Sequence, residues 1–244
     1  MSSFRAAGVT PKRRNCRKPR SASPRTISKA PATGSWRTPG IDATFTAFTP
    51  AELVAAVDEA HSWGRGVAAH AIGAEGVTHA VQAGCDSIEH CVQVTTATVK
   101  EMKERGTFRS PTLSALLGIA GNADSVPAYA VEKASKLLGD AEASQKRCLR
   151  AGVRHVCGTD AGTPFNPHGN APNELVTMVE WGMDPLAAMT AATANGAELL
   201  RLPDVGTVEQ GKLADLVLYD GNPVEDIRAV LEPRAVWRGV DGEG

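Results

Sequence analysis

The sequence has 244 residues, of which 42% are hydrophobic and 5% aromatic, a composition typical of a globular protein with one sizeable core. Ten of the 26 Lys and Arg residues and none of the 27 Asp and Glu residues lie in the first 40 residues, so a basic segment precedes an acidic body. The five cysteines form no CxxC pair, which argues against a disulfide framework. The sequence has no apolar run of about 18 residues and no apolar N-terminal core, which argues against a membrane span and a secretion signal. Together these features favour the cytoplasm.

Residues 1–40 form the basic segment, and they show neither a 3.6-residue nor a 2-residue apolar period. We therefore predict a basic head that is irregular or disordered. Three explanations are open: a nucleic-acid-binding arm, an organellar transit segment, or sequence read out of register at a damaged gene start. The charge run over residues 12–25 contains no aromatic residue, which disfavours single-strand binding, so we favour the third explanation and expect no nucleic-acid partner.

The first helix signal follows the head. Thr49 at the N-cap, Pro50 at the first helical position and Glu52 at the third form a capping box, and an apolar stripe follows until Gly64. This pattern predicts a helix over about 50–63.

Short apolar strands then alternate with helices. The segments GVAAHA and DSIEHC each precede a helix that ends at a glycine, and a third and a fourth strand precede further helices. This alternation predicts a parallel sheet in an α/β fold. The predicted strands are 66–71, 86–91, 108–113 and 153–160, and the later predicted helices are 127–150, 172–181 and 185–200.

The last 44 residues read differently from this repeat. LADLVLYD is a strand pattern flanked by glycine turns, which predicts a small β-appendage. We therefore divide the chain into a head (1–40), a (β/α) part (41–200) and a C-terminal β-appendage (201–244).

Three polar residues follow apolar strand segments: His70 after VAA, His90 after SIE, and Asp160 after VCGT. In βα-barrels the functional groups sit at the carboxyl ends of the strands. Two imidazoles and a carboxylate are a ligand set suited to zinc, manganese or iron. Any one of them alone is more often structural, but all three at equivalent positions predict a metal site.

Several segments together resemble the amidohydrolase superfamily, in particular its imidazolonepropionase-like and Xaa-Pro dipeptidase-like (prolidase-like) branch. The resemblance runs in unbroken order over about residues 38–240. The segments are VAAHAIGAEGVTHAVQAGCDSIEH, SPTL, GTDAG, HGN, NEL, AATANGAELL and GTVEQGKLADLVLYDGNP.

The resemblance implies a metal-dependent hydrolase that acts on C–N amide bonds of a dipeptide or cyclic amide through metal-activated water. It implies one or two divalent ions, with zinc the first choice. His70 and His90 would bind one metal, and Asp160 would bind the other and serve as the catalytic base. Lys29, at the family's spacing from TPG, would be the bridging lysine. His168, Asn170 and Glu174 would lie where such barrels hold the charged ends of the substrate; the alternative for each is a polar loop residue or a helix cap.

The resemblance also implies what this chain lacks. Family members carry a His-x-His pair after the first barrel strand, and no such pair occurs here. With only four predicted strand–helix units, we expect a chain truncated at its N-terminus, namely the C-terminal half of a TIM-like (β/α)8 barrel with a β-appendage. Open sheet edges would favour a homo-oligomer. The alternative function is a catalytically impaired remnant that acts at most as a metal-binding or oligomeric module.

Overall fold

The computed structural model describes residues 27–240 of the chain. The predictions made for residues 1–26 lie outside the described residues. Within the described part, four strands form one parallel sheet in the order β1-β2-β3-β4, which confirms the predicted α/β class. The strands are β1 (Ser28–Pro31), β2 (Val67–Ala71), β3 (Ser87–His90) and β4 (Phe108–Ser110).

Strand β1 corrects the prediction for the head. Residues 28–31 were expected to be irregular, yet they pair in parallel with β2, from Ser28 opposite Val67 to Pro31 opposite His70. A strand of four residues that contains a lysine and a proline shows no apolar period. It forms because β2 offers it a row of backbone partners, and a proline is tolerated because β1 is an edge strand.

The predicted strand over 153–160 is also corrected. One parallel bridge joins Arg109 to His155, and no regular strand follows it in residues 153–160. The side-chain amide of Asn166 donates to the carbonyl oxygens of Thr159, at 2.6 Å, and Asp160, at 3.1 Å. These bonds occupy two carbonyl groups of the predicted strand with a side-chain donor in place of a strand partner.

Eight α-helices are present among the described residues, and three of them, the first, third and seventh, have a side-chain N-cap. Thr49 and Glu52 form the predicted capping box, and Asp184 accepts a hydrogen bond from the Ala187 amide. The predicted helix over 185–200 is broken at Thr193, which has φ −120° and ψ −91°. The helices are α1 (Pro50–Ser62), α2 (Ala74–Gln82), α3 (Thr96–Arg105), α4 (Leu113–Ala120), α5 (Ala128–Ala151), α6 (Ala171–Glu180), α7 (Pro185–Ala192) and α8 (Ala194–Leu199).

The two faces of the sheet differ in what covers them. Val67, Ala69 and Ala71 of β2 are buried in an apolar core with residues of α1, α2 and α3. Their neighbours Ala68 and His70 are only half-buried, because successive side chains of a strand point to opposite faces. The second face therefore carries the polar side chains, including the exposed Lys29.

The C-terminal part confirms the predicted strand. Strand β5 (Ala214–Tyr219) pairs antiparallel with β6 (Pro233–Val240), and a 3₁₀ helix (Ile227–Leu231) lies between them. Ile227 and Val230 of that short helix are buried in a cluster with residues of α6 and α7. Across residues 27–240, none of the helices combines the length and the apolar character that crossing a bilayer requires.

Candidate active site

The four residues predicted for the metal site line one cavity. Lys29, His70, His90 and Asp160 border a cavity of about 1090 Å³ that also contacts the loop after β1. Lys29 lies within its strand, His70 and His90 come from the ends of neighbouring strands, and Asp160 follows the single bridge after α5. Parallel pairing is what gathers them, since it places the carboxyl ends of the strands at one edge.

The two imidazoles lie side by side. The register pairs Ala71 with His90, and the ring centroids of His70 and His90 are 4.6 Å apart with an interplanar angle of 77°. His90 has φ +65°, a left-handed conformation that non-glycine residues rarely adopt, and such strain is concentrated at functional sites.

Hydrogen bonds assign one proton to each ring. His70 Nε2 lies 2.7 Å from the Gly34 carbonyl oxygen, an acceptor, so this nitrogen donates. His90 Nδ1 lies 2.5 Å from the Thr112 hydroxyl, which itself donates to the Pro111 carbonyl, so Nδ1 donates as well. The lone pairs of His70 Nδ1 and His90 Nε2 remain for a ligand. Fixing a ring through its second nitrogen is how proteins commonly orient metal-binding histidines.

Both rings are held in the neutral form. Burial lowers the pKa of His70, and the positive charge of Lys29 lowers it further, against the opposing effects of the Gly34 hydrogen bond and Asp160. Burial also lowers the pKa of His90 well below its usual value, helped by His70, Lys29 and Arg109. Neutral imidazole is the form that binds metals.

Asp160 and Lys29 are two of the charged residues in the wall of the cavity. Asp160 is half-buried and has φ +52°, and its backbone is tied by the Asn166 amide described above. Lys29 projects from an edge strand and is exposed. The sequence had suggested both residues, and the structure brings them to the same cavity as the histidines.

Glu89 is a carboxylate next to His90 that the sequence analysis did not name as a candidate functional residue. It precedes His90 in β3 and accepts a hydrogen bond of 2.6 Å from the Ser87 hydroxyl. Burial raises the pKa of Glu89, and hydrogen bonds from Ser87 and Ser110 oppose that rise. The charge of Lys29 lowers the pKa as well, whereas the charge of Asp160 raises it. The period of two in SIEH, which puts Ser87 and Glu89 on one face, was the available signal.

Trp36 was missed as well, because it lies in the segment predicted to be irregular. Its ring meets His90 edge-on at a centroid distance of 4.7 Å and lies 6.4 Å from His70. It is 1% exposed, and its indole N–H has no hydrogen-bond partner among the described residues. Trp36 therefore forms the apolar wall beside the imidazole pair.

The donor set suits a divalent metal in its chemistry, since two neutral imidazoles offer free lone pairs and a carboxylate borders the same cavity. Within residues 27–240, however, no three His, Cys, Asp or Glu side chains lie close enough together to hold an ion. The described chain therefore presents a pair of imidazoles, and Asp160 and Lys29 line the same cavity.

The three residues assigned to the ends of the substrate do not line the cavity. Glu174 is fully buried and accepts hydrogen bonds from the start of α4, so it serves as a helix cap, the alternative that the sequence had left open. Asn170 bonds to Asn166 and Asn173, which makes it part of the loop framework. His168 is exposed on that loop.

Comparison with known proteins identifies the family of this chain. The model of the Amidohydrolase family matches residues 6–240. Ochratoxinase from Aspergillus niger is 33% identical over 220 residues, which are 87% of this chain and 45% of that protein. Imidazolonepropionase from Pyrobaculum arsenaticum is 45% identical over 64 residues, which are 24% of this chain and 16% of that protein.

A solved structure shows the same architecture. The crystal structure of a Xaa-Pro dipeptidase with bound methionine in the active site superposes with a TM-score of 0.79 at 36% identity, covering 86% of this chain and 52% of that one. The chain spans about half the length of such relatives, whose fold is a TIM-like barrel. Its α/β part is the C-terminal half of that barrel, and the β5–β6 hairpin is the β-appendage. The chain belongs to the amidohydrolase family.

Proposed function

We propose that this chain carries the site of a metal-dependent hydrolase that acts on C–N amide bonds in a dipeptide or a cyclic amide. The observation that carries the proposal is the pair of neutral imidazoles, His70 and His90, with one free lone pair each on a cavity shared with Asp160 and Lys29. Membership of the amidohydrolase family and similarity to a Xaa-Pro dipeptidase support it.

Each residue has a defined task in this proposal. His70 and His90 would hold a divalent ion, with zinc the first choice, and Asp160 and a carboxylated Lys29 would supply oxygen ligands beside them. When bound, the metal would lower the pKa of a water molecule and polarise the substrate carbonyl. Asp160 would accept the proton of the attacking water and deliver it to the leaving nitrogen.

The cavity supports a small substrate. Its volume of about 1090 Å³ is close to the upper end of ordinary ligand pockets, roughly 300–1,000 Å³. The indole of Trp36 offers an apolar surface next to the imidazoles, and Lys29 and Asp160 offer charges at the wall. A dipeptide or a cyclic amide, with an apolar body and a few polar ends, suits such a lining.

One observation favours the alternative of an impaired remnant that binds metal or self-associates. No group of three His, Cys, Asp or Glu side chains among residues 27–240 is spaced to hold an ion. A second copy that pairs with the edge strand β1 would cover an open sheet edge. A cytoplasmic location remains a prediction from the composition.

The test is hydrolysis of Xaa-Pro dipeptides and of cyclic amides by the full chain supplied with zinc, with release of the free amine as the readout. We expect turnover that Asp160→Asn abolishes, because the substitution removes the base at nearly constant volume. His168→Ala, a change at an exposed histidine outside the cavity, is the matched control and should keep full turnover. Turnover that survives Asp160→Asn would refute the mechanism, and zinc binding without any turnover would favour the remnant.

A further inference from the structure

Thr112 has an unusual backbone and an unusual side-chain bond. It follows β4 and directly precedes α4, with φ 51° and ψ 43°, a left-handed conformation that is strained for a β-branched residue. A threonine at the N-cap ordinarily accepts a hydrogen bond from an amide of the first helical turn. The Thr112 side chain makes no such bond, and its hydroxyl lies 2.5 Å from His90 Nδ1 instead.

Glu174 caps α4 in place of Thr112. One carboxylate oxygen accepts from the Leu113 amide at 2.8 Å, and the other accepts from the Ser114 amide at 2.8 Å and the Ser114 hydroxyl at 2.7 Å. Glu174 lies on α6, some sixty residues further along the chain, so this cap is a tertiary contact. A carboxylate at a helix N-terminus is favoured by the helix dipole and by the free amides.

This cap is costly compared with the local alternative. Glu174 is fully buried, and burial raises its pKa against the hydrogen bonds of Ser114 and Leu113. Capping by the Thr112 hydroxyl would bury no charge. A protein that departs from the cheaper local arrangement commonly does so at a functional site. What this arrangement gains is a hydroxyl that is free to bind His90.

Other contacts near His90 hold its backbone and leave the ring to Thr112. Arg109 donates to the His90 carbonyl at 3.4 Å, and the Ser144 hydroxyl donates to the Cys91 carbonyl at 2.7 Å. Among the described residues, Thr112 is the hydrogen-bond partner of a His90 ring nitrogen. Removal of the Thr112 hydroxyl should therefore change which nitrogen of the His90 ring carries the proton and leave the His90 backbone in place.

We propose that Glu174 is a positioning residue: by capping α4 it frees the Thr112 hydroxyl, which fixes the proton of His90 on Nδ1 and leaves Nε2 for a ligand. The inference deepens the proposed function, since it concerns the orientation of a proposed metal-binding histidine. The hydrogen bonds from which it is drawn lie within the chain itself.

The experiment is nuclear magnetic resonance of the metal-free chain with ¹⁵N-labelled histidines at one neutral pH. Long-range ¹H–¹⁵N correlations report which ring nitrogen carries the proton, and the spectrum of His90→Gln identifies the His90 signals. We expect the proton on Nδ1 in the unmodified chain and in Thr112→Ser. We expect it to move, wholly or in part, to Nε2 in Thr112→Val, which keeps the shape and removes the hydroxyl.

The same spectrum tests Glu174. We expect Glu174→Gln to lower the Nδ1-protonated fraction, because Thr112 then competes for the helix cap, and Ser114→Ala to lower it less. Asp184→Asn changes the capping carboxylate of α7 and should leave His90 unaffected. An unchanged His90 signal in a folded Glu174→Gln chain would overturn the proposal, and if that variant does not fold, an unchanged signal in Ser114→Ala overturns it.

A zinc titration links the result to the site. Loss of such a partner of a ligand typically costs about 10–100-fold in metal affinity, so we expect that loss in Thr112→Val and recovery in Thr112→Ser. Equal zinc affinity of Thr112→Val and the unmodified chain would overturn the positioning role. If the unmodified chain binds no zinc, the proposed function fails, whereas the proton positions still decide the inference.

Discussion

His155 gives a quantitative prediction for stability against pH. It is buried beside Arg109, and burial together with that positive charge lowers its pKa from 6.5 to about 3. The unfolded chain therefore binds a proton at His155 below pH 6.5 that the folded chain does not bind, so stability falls as the pH falls through that value. Each pH unit below 6.5 lowers the free energy of unfolding by about 1.36 kcal/mol, so the loss at pH 5 is about 2 kcal/mol.

The assay is urea unfolding of the unmodified chain and of His155→Asn, each at pH 7 and pH 5. The asparagine amide can replace His155 Nδ1 as the donor to the Val153 carbonyl, which lies 2.8 Å away. His155→Asn should lose about 2 kcal/mol less than the unmodified chain between the two pH values, because one titrating group is gone. The difference between the two chains cancels the contributions of His70, His90, Glu89 and Glu174. Equal losses in both chains would show that His155 is not buried in the neutral form.

Two further predictions concern packing around the site. A Cβ atom at Gly73 would clash with the Thr44 carbonyl oxygen, so Gly73→Ala should lower the free energy of unfolding by about 1–3 kcal/mol. The control is Gly139→Ala, where the added methyl group lies in open space on α5. This variant should be more stable by about 0.4–1 kcal/mol. Urea unfolding of both variants checks this, and an unaffected Gly73→Ala chain would mean that the loop after β1 does not lie against α2. Glu174→Ala leaves three buried donors without their acceptor and should lower the free energy of unfolding by about 3–5 kcal/mol, since each unsatisfied buried donor costs about 1–3 kcal/mol. Asp184→Ala removes an exposed cap and should cost about 1 kcal/mol. Thermal unfolding compares them, and similar melting temperatures would contradict the assigned role of Glu174.

Local signals in the sequence predicted the local parts of the structure. The capping box at Thr49 and Glu52 places α1, and apolar segments that end in histidine place β2 and β3 with His70 and His90 at their ends. These features depend on neighbours within a few residues, which a single sequence contains. The parallel strand order predicted that His70, His90 and Asp160 would share a cavity, whereas Lys29, which lines the same cavity, was proposed from the family resemblance.

Features that depend on distant contacts could not be predicted. Strand β1 is defined by its pairing with β2, and the cap of α4 comes from Glu174, which lies sixty residues away.

Two other features were missed because of the local composition. Trp36 lies within a segment whose basic composition suggested disorder. Helix α4 was missed because LSALLGIA is almost uniformly apolar, and a short apolar run shows no helical period.

The most direct test of the central claim is a zinc titration of the metal-free full chain by calorimetry, together with His70→Ala, His90→Ala and the control His168→Ala. If the two strand-end imidazoles form a ligand pair, the unmodified chain and His168→Ala should bind zinc at the same site with the same affinity, and each of the other variants should lose that binding. Absence of zinc binding by the unmodified chain, or equal binding by His90→Ala, would contradict the assignment of this cavity as a metal centre.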